Sequence, residues 1–397
     1  MGSITVVHHN LEKRGGGEVV CMSVIEALEG HHDITLLTSA AEVDFVSLNE
    51  FAGTNVSKVE SRVIRSFGLP VSRIMNFASS IFGVWKFDYI VNILNQGLFH
   101  RYCLKSIPES DLVISTWDEL AIDRPSIQYV HYPRRYRNLA SSEDLSVRWP
   151  VSQLIKLYKS VIRAFANFDP STVASSTLLA NSGRTANRMH HWYKVQPQIL
   201  NPPIHASVLS GETPWVMRED GFVYVGRIHP GKRIHELIEI VTWVRSHGHE
   251  VHFHVIGPRD VDEPWYFDRI ESMASVHDHV TLEGPMYGQA LRDMLCTHKY
   301  GISGNPGEQF GMAVAEMVAA GMIPFVPNSG GQRKIVGEDD RVMFNSPEEA
   351  GKKILTVLST QEIRSIRQNF PDIQAEYGKE NFQDAILQLV GMVLATE

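Results

Sequence analysis

Apolar residues in this chain fall into short runs separated by longer segments with helical periodicity. In the first half, the apolar runs predict strands at Ile4–His9, Ile34–Thr38, Leu112–Ser115, Ile127–His131 and Thr177–Asn181. The segments between them predict helices at Glu18–Glu29, Val91–Lys105, Ser152–Ala166 and Arg184–Tyr193. Strands that alternate with helices of this length indicate a parallel α/β sheet, because parallel neighbours need a crossover connection.

The second half repeats the same alternation. Its predicted strands are Gly221–Gly226, Val251–Ile256, Val280–Leu282, Tyr300–Ser303 and Ile323–Val326. Its predicted helices are Arg233–Ser246, Glu263–Ala274, Tyr287–Thr297 and the apolar run Phe310–Ala320. Between the halves, Asn201–Trp215 is rich in Pro, Gly and Ser and is typical of a linker.

The pattern therefore predicts two Rossmann-like domains with parallel sheets that face a central cleft. We place the first domain at residues 1–204 and the second at 205–375, and we expect 376–397 to be a helix that packs back toward the first domain. Ligands of such sheets bind outside the carboxyl ends of the strands. The loops that follow the strands are therefore where we expect the chemistry.

Composition excludes several classes of protein. The 397 residues are 43% hydrophobic and 21% charged, which is enough for two cores, and the net charge of −8 argues against a general nucleic-acid binder. Cys21, Cys103 and Cys296 are far apart and indicate reduced thiols in a cytosolic protein. The first ten residues lack a signal-peptide pattern, and no apolar run is long enough to predict a membrane span.

Two carboxylates frame the start of the apolar helix in the second half. Glu316 is the only polar residue within Phe310–Ala320, and Glu308 precedes it by eight positions. A helix N-terminus attracts phosphate, and eight residues of helix span about 12 Å. Glu308 and Glu316 are therefore placed to hold hydroxyl groups at the two ends of a phosphate-linked ligand. The alternative is that Glu316 pairs with a buried Arg or Lys, because a lone buried carboxylate is costly.

Two cations follow the first strand of the second half. Arg227 ends that strand, and Lys232 lies five residues later at the start of the next helix. Cations at these positions can converge on a diphosphate and neutralise a diphosphate leaving group without a metal. A solvated surface pair is the alternative, although Gly226 and Gly231 favour a tight, ligand-facing turn.

The first half carries weaker candidates. Gly15–Gly17 precede the first helix and allow close approach of a ligand, but they lack the G-x-G-x-x-G fingerprint, and a flexible turn explains them equally well. His131 ends a predicted strand and is placed to reach a cleft, or is a structural histidine.

His252 and His254 alternate on one predicted strand and therefore share a face, which is a geometry compatible with a metal. No cysteine or second acidic pair accompanies them at a typical spacing. The sequence therefore predicts no metal site at these two histidines.

Basic and aromatic residues are mixed in two segments of the first half. These segments are Ser61–Phe87, which contains Arg62, Arg65, Arg73 and Lys86, and the cluster of Arg134, Arg135 and Arg137. Such mixtures suit an anionic membrane surface. An ordinary amphipathic helix packed on the first domain explains them as well.

Together these residues resemble the retaining nucleotide-sugar glycosyltransferases of family 4, which have the GT-B fold. The resemblance rests on VGR…GK at Gly226–Lys232 and on the Glu-x7-Glu motif Glu308–Glu316. GGGE at Gly15–Glu18, YVHYP at Tyr129–Pro133 and NPP at Asn201–Pro203 resemble a narrower group, the mannosyltransferases that extend lipid-linked oligosaccharides. Gln309 departs from the family pattern, which has Pro or a small residue before Phe-Gly.

The resemblance implies roles for particular residues. The catalytic residues would be Glu308, which holds the donor sugar and stabilises the transition state, and His131, which lies beside the reacting sugar. The donor-binding residues would be Arg227 and Lys232 on the diphosphate, Glu316 on the ribose, the amides of Phe310, Gly311 and Met312, and Gly16 and Gly17 from the first domain. No metal or other cofactor is expected.

The implied activity is transfer of a hexose, with mannose from GDP-mannose preferred, to an acceptor hydroxyl such as that of a lipid-linked glycan. The implied location is the cytoplasm, with peripheral binding to the cytoplasmic face of a membrane and no nucleic-acid partner. The alternatives are UDP-linked glucose or N-acetylglucosamine as donor, and a sugar-nucleotide epimerase or phosphorylase on the same fold. A non-catalytic sugar-nucleotide or lipid-binding protein and a dinucleotide-dependent oxidoreductase are disfavoured.

Overall fold

The computed structural model describes the chain except residues 13, 41, 58, 65–83, 135–138, 140–150, 206–212, 261–262, 361 and 396–397. Most of the segment Ser61–Phe87, together with Arg135 and Arg137, lies outside the described residues, as do the side chains of residues 84–89, 91, 92 and 151. The chain divides into two compact units, residues 1–200 with 384–397, and residues 201–383.

The first unit is built on a parallel sheet with the order β3-β2-β1-β4-β5-β6-β7. Its strands are β1 (Ser3–Val7), β2 (Asp33–Thr38), β3 (Glu60–Val63), β4 (Leu112–Ser115), β5 (Ser126–Val130), β6 (Thr177–Ala180) and β7 (Gln198–Ile199). Its helices are α1 (Gly16–Leu28), α2 (Phe45–Ala52), α3 (Val84–Ser106), α4 (Val151–Ala166), α5 (Pro170–Ser175) and α6 (Gly183–Tyr193). The strand order reverses between β1 and β4, which marks the topological switch point.

The second unit has the same plan, with the order β10-β9-β8-β11-β12-β13. Its strands are β8 (Glu219–Val225), β9 (His252–Ile256), β10 (Val280–Gly284), β11 (His298–Ile302), β12 (Ile323–Pro327) and β13 (Met343–Phe344). Its helices are α7 (Ile234–Ser246), α8 (Pro264–Ser275), α9 (Gly288–Thr297), α10 (Met312–Ala319), α11 (Gln332–Ile335), α12 (Pro347–Ser359), α13 (Ile363–Gln368) and α14 (Ile373–Tyr377). A last helix, α15 (Lys379–Ala395), begins in this unit and ends in the first.

The central strands of both sheets are continuously apolar because helices cover both of their faces. Every residue of β4, β5 and β12 is buried, as expected for parallel strands that are covered by helices on both faces. Helix α7 buries Ile234, Leu237, Ile238, Val241 and Val244, which recur at helical spacing and pack into the core of the second unit. The predicted alternation of strands and helices in two parallel sheets is confirmed.

Element boundaries differ from the predictions where backbone geometry intervenes. The helix predicted over Phe310–Ala320 begins at Met312, because Gly311 has a φ of 110° and caps the helix from outside it. Strand β3 was not predicted, because its four residues are exposed and largely polar. It forms through pairing with the edge of β2, which is a tertiary effect.

Candidate functional site

The carboxyl ends of β8 and β11 flank the switch point of the second unit, and Arg227 and Glu308 lie in the loops that follow them.

In the turn after β8, two backbone segments approach each other closely. The N–H of Gly226, at φ 150°, donates to the carbonyl of Ile256 over 2.9 Å. A Cβ added at Gly257 would collide with the carbonyl oxygen of Gly226. Glycines at these two positions therefore set where Arg227 leaves the strand.

Lys232 and Glu308 meet as an ion pair. Lys232 ends the 3₁₀ turn Pro230–Lys232, and its Nζ donates to Glu308 Oε2 over 2.7 Å. A Cβ added at Gly304 would lie 2.6 Å from the Lys232 carbonyl oxygen, so glycine there lets the two loops touch. The side chains are 30% and 23% exposed. The two residues are therefore neighbours, with part of each facing solvent.

The Glu308 carboxylate is held in its charged form. Asn305 Nδ2 donates to Glu308 Oε2 over 2.9 Å, in addition to the bond from Lys232. Burial acts to raise the pKa of Glu308, but the ammonium of Lys232 and the hydrogen bonds from Lys232 and Asn305 outweigh it, and the pKa lies below its usual range. Glu308 is therefore ionised at neutral pH.

A buried amide braces the loop that carries Glu308. Gln332 is fully buried, its Nε2 donates to the Asn305 carbonyl over 2.9 Å, and its Oε1 accepts from Ser303 Oγ over 3.0 Å. The N–H of Gly331 donates to the Glu308 carbonyl over 3.0 Å. Neither Gln332 nor Asn305 was predicted as a site residue, because their roles depend on contacts between distant segments.

Arg227 is fixed by a buried carboxylate. Its Nη1 donates to Asp260 Oδ2 over 2.9 Å, and the Asp260 side chain is 3% exposed whereas that of Arg227 is 47% exposed. The five donors of a guanidinium lie in one rigid plane, so this bond orients the others. Asp260 was not predicted, and it follows the end of β9, the strand next to β8.

Glu316 lies in the second turn of α10, and burial raises its pKa to about 7. Among the described residues, no side chain donates a hydrogen bond to its carboxylate or forms an ion pair with it. The alternative of a buried Arg or Lys partner is therefore not met within the described part of the chain. Such a carboxylate has its full capacity to accept hydrogen bonds from a ligand.

Phe310, Gly311 and Met312 form the entry to α10. The Phe310 ring is buried and packs edge-on against Tyr377 with the centroids 5.2 Å apart. The first N–H groups of a helix have no intrahelical acceptor, so the start of α10 at Met312 is suited to an anion. Nearby, Gln309 Nε2 donates to the Gly307 carbonyl over 2.6 Å, and its buried Oε1 accepts no bond from the described residues.

In the first unit, Gly17 and His131 lie together. Gly16 and Gly17 open α1, and a Cβ added at Gly17 would lie 3.6 Å from His131 Nε2. His131 Nε2 lies 3.1 Å from the Thr116 carbonyl oxygen, and burial, with the charge of His8, lowers the pKa of His131 to about 4. His131 is therefore neutral, with Nε2–H donating to that carbonyl and Nδ1 left as an acceptor.

His8, a buried histidine that was not predicted as a site residue, lies close to Thr116 and Glu18. Its Nδ1 lies 3.0 Å from Thr116 Oγ1 and its Nε2 lies 3.6 Å from Glu18 Oε1. Burial acts to lower the pKa of His8, but Cys21 and Glu18 against the ring raise it above its usual range. Glu18 also accepts from the Gly15 N–H over 2.7 Å, so the same carboxylate orders the glycine turn.

Residues 219–360 match the family model of group 1 glycosyl transferases. The matched stretch lies within the second unit and contains Arg227, Lys232, Glu308 and Glu316. Two curated relatives carry the name GDP-Man:Man(3)GlcNAc(2)-PP-Dol alpha-1,2-mannosyltransferase. The Yarrowia lipolytica protein is 29% identical over 53% of this chain and 36% of its own length. The Dictyostelium discoideum protein is 21% identical over 66% of this chain and 58% of its own length.

A solved structure of Anabaena HepE in complex with UDP and glucose superposes with a TM-score of 0.66 at 14% identity, covering 99% of this chain and 100% of that chain. The chain has the GT-B fold, and the predicted resemblance to GT-B glycosyltransferases is confirmed. The chain spans between about a third and three fifths of the length of the curated relatives it matches. Within the described residues, the GT-B chain contains no helix that is long and apolar enough to cross a membrane.

Proposed function

We propose that this protein is a retaining hexosyltransferase that moves mannose from GDP-mannose to an acceptor hydroxyl. The observation that carries the proposal is the Lys232–Glu308 ion pair at the switch point of the second unit, 2.7 Å between Nζ and Oε2. A cation suited to a diphosphate lies there beside a carboxylate suited to sugar hydroxyls. The names of the two curated relatives support mannose and GDP as the parts of the donor.

The proposed donor site uses three sources of positive potential for the diphosphate. These are Arg227, Lys232 and the start of α10 at Met312. Fixed donors and cations of this kind stabilise the charge that develops on a leaving group, because they need no reorganisation during the reaction. Glu316, whose carboxylate accepts no bond from the described side chains, would accept bonds from the two ribose hydroxyls.

In the proposed reaction, the bond from the anomeric carbon to the diphosphate oxygen breaks and a bond to the acceptor oxygen forms on the same face of the sugar. The departing phosphate takes the proton of the acceptor hydroxyl, so no separate general base is needed. Glu308, ionised because Lys232 and Asn305 stabilise its charge, would stabilise positive charge on the sugar ring. The Gln309 Oε1 would accept a hydrogen bond from a sugar hydroxyl. The family resemblance implies a place beside the reacting sugar for His131, whose imidazole is neutral.

For the acceptor we propose a lipid-linked glycan, reached at the cytoplasmic face of an anionic membrane. Helix α4 supports this proposal. One stripe of it exposes four large apolar residues, Leu154, Leu157, Val161 and Phe165. The helix carries three basic residues and no acidic one. An apolar stripe on a basic helix is typical of peripheral binding to anionic lipid.

A UDP-linked glucose or N-acetylglucosamine donor is the second candidate. The similar Anabaena structure contains UDP and glucose, which favours this alternative at the level of the fold. Neither the GDP nor the UDP reading is decided by the described side chains, so a panel of donors tests the candidates.

A thermal-shift panel of GDP-mannose, UDP-glucose, UDP-N-acetylglucosamine, ADP-glucose and NADH, each with and without EDTA, tests the proposal. A donor that binds the native state raises the Tm by mass action. We expect a shift with GDP-mannose of the same size with EDTA as without it. No shift with any sugar nucleotide, or a shift with NADH alone, would contradict the proposed donor site.

A further inference from the structure

Histidines gather at the edge of the second sheet that lies opposite the proposed donor site. Strands β8, β9 and β11 begin at Glu219, His252 and His298, and β8 pairs in parallel with the other two. Their first residues therefore share the amino-terminal edge of the sheet. His254 follows His252 by two residues and points to the same face of β9.

The three imidazoles converge. One ring nitrogen from each of His252, His254 and His298 lies within 4.8 Å of the others, and the Nε2 atoms of His252 and His298 are 3.1 Å apart. Two ligands of a tetrahedral zinc ion, each at about 2.0–2.1 Å, stand roughly 3.3 Å from each other. The spacing between His252 Nε2 and His298 Nε2 therefore matches two ligands of one ion, and a ring nitrogen of His254 lies close enough to join them.

A carboxylate lies at the distance expected for a fourth ligand. Glu219 Oε2 is 3.5 Å from His252 Nε2 and 3.9 Å from His298 Nε2. Its position is set by the sheet, because Glu219 is the direct partner of His298 across the pairing of β8 and β11. Three imidazoles and one carboxylate form a ligand set that zinc accepts.

Hydrogen bonds fix the tautomers of two of the rings. His298 Nδ1 lies 2.7 Å from the Met294 carbonyl oxygen, and His254 Nδ1 lies 2.6 Å from Glu283 Oε1. A carbonyl or carboxylate oxygen accepts, so each Nδ1 carries the proton and each Nε2 keeps its lone pair. Oxygen acceptors behind the ligating histidines are the usual outer shell of a zinc site.

The backbone also makes room for the cluster. A Cβ added at Gly221 would collide with His252 Nε2 and would lie 2.7 Å from His298 Cδ2, so the two rings occupy the space of a side chain. The His252 side chain is 33% exposed, which leaves an entry path for an ion.

We propose that His252, His254 and His298, through Nε2, and Glu219, through a carboxylate oxygen, bind one divalent transition-metal ion, with zinc preferred. The ion would tie together the first residues of three adjacent strands and stabilise the second unit. It has no part in the proposed transfer chemistry, because the cluster lies at the opposite edge of the sheet from Arg227 and Glu308.

Titration of the full-length, untagged, metal-free protein with ZnCl₂, followed by calorimetry and by thermal unfolding, tests this inference. We expect one tight equivalent and a higher Tm in its presence. The His252→Asn variant removes one ligand from a partly exposed position, so it should fold and lose that equivalent. The His247→Asn variant removes an exposed histidine of the same unit and should bind zinc as the unaltered protein does.

Glu283→Gln provides a second, milder test, because it leaves all four proposed ligands in place. Loss of an outer-shell carboxylate typically weakens metal binding about 10–100-fold, and we expect a decrease in that range. Absence of a tight equivalent in the unaltered protein, or an unchanged equivalent in His252→Asn, would overturn the inference. Either result would leave the donor-induced shift with GDP-mannose unaffected, so the two proposals fail separately.

Discussion

The Nζ of Lys232 lies 2.7 Å from Oε2 of Glu308, across 76 positions of the chain. This contact joins the loop after β8 to the loop before α10. Asn305 Nδ2 donates to the same oxygen, so two donors hold the Glu308 carboxylate in place. The pair therefore combines a charge for a leaving group with an acceptor for a sugar at one point of the second unit.

Replacing the cations should abolish most of the transfer activity. Removal of one preorganised electrostatic group typically costs about 10²–10³ in kcat, and we expect Arg227→Ala and Lys232→Ala each to lose about a hundredfold or more while keeping the fold. Initial rates with a radiolabelled donor, together with circular dichroism, measure both effects.

Lys299→Ala is the matched control for these variants. Lys299 pairs with Asp220 over 2.8 Å, close to the distance in the Lys232–Glu308 pair, but at the start of β8. The turnover of Lys299→Ala should equal that of the unaltered protein. Turnover near that of the unaltered protein in both Arg227→Ala and Lys232→Ala would contradict the proposed site.

Glu308→Gln should lose turnover and show a characteristic pH dependence of stability. The folded-state pKa of Glu308 is lowered by its partners despite burial, so its charge contributes stability above the ordinary pKa of 4.5 that is lost as the pH falls through the folded value. The variant lacks that contribution. The Tm difference between the unaltered protein and Glu308→Gln should therefore shrink in acid, and a difference that grows there would contradict this assignment.

Glu316→Gln should be more stable than the unaltered protein at neutral and alkaline pH. Burial raises the folded-state pKa of Glu316 to about 7 from 4.5, so the folded state binds the extra proton and stability falls as the pH rises through that window. The neutral variant avoids this cost, which is at most about 3 kcal/mol and is reduced by the partial exposure of the side chain. Its Tm should exceed that of the unaltered protein near pH 8 and match it near pH 4.5.

The same variant should bind the donor more weakly, because an amide is a poorer acceptor for two ribose hydroxyls than a carboxylate. Calorimetry with GDP-mannose measures this loss, and Glu239→Gln, an exposed carboxylate on α7, is the control. Unchanged donor affinity in Glu316→Gln would remove Glu316 from the donor site.

His131 should not titrate between about pH 5 and 8, the range in which an ordinary histidine does. Burial and the charge of His8 lower its pKa to about 4. His131→Gln should therefore lower kcat by a constant factor across that range. A factor that changes around pH 6.5 would show that the imidazole gains a proton during assays and would contradict the proposed neutral role.

Charge on the apolar stripe of α4 should release the protein from vesicles. We expect Leu157→Asp and Val161→Asp, at positions that are 63% and 56% exposed, to reduce co-sedimentation with phosphatidylglycerol vesicles several-fold without lowering the Tm. Val216→Asp, at a position 83% exposed in the second unit, is the control and should sediment as before. Equal sedimentation of all variants would exclude α4 as the membrane-binding surface.

Local patterning was sufficient to predict the described strands except β3 and the two-residue strands β7 and β13, together with most of the helices around them. Runs such as Leu112–Ser115 are apolar because both faces of a central parallel strand are covered, and that requirement is visible in the residues themselves. The prediction failed for exposed, polar β3 and was displaced at Gly311, since edge pairing and a positive φ leave little trace in hydrophobicity.

The motif residues were predictable from their local sequence. Arg227, Lys232 and Glu308 come a few residues after a predicted strand, and Glu316 is the polar residue within an apolar helix. Their partners were not predictable. Asp260, Asn305 and Gln332 act through hydrogen bonds between loops, and His298 joins His252 across 46 positions. Periodicity is a property of neighbours in sequence, so it predicts elements. An ion pair or a cluster of histidines depends on which strands are neighbours in the sheet. The order of the strands is set by the crossover connections in the folded chain and cannot be read from local periodicity.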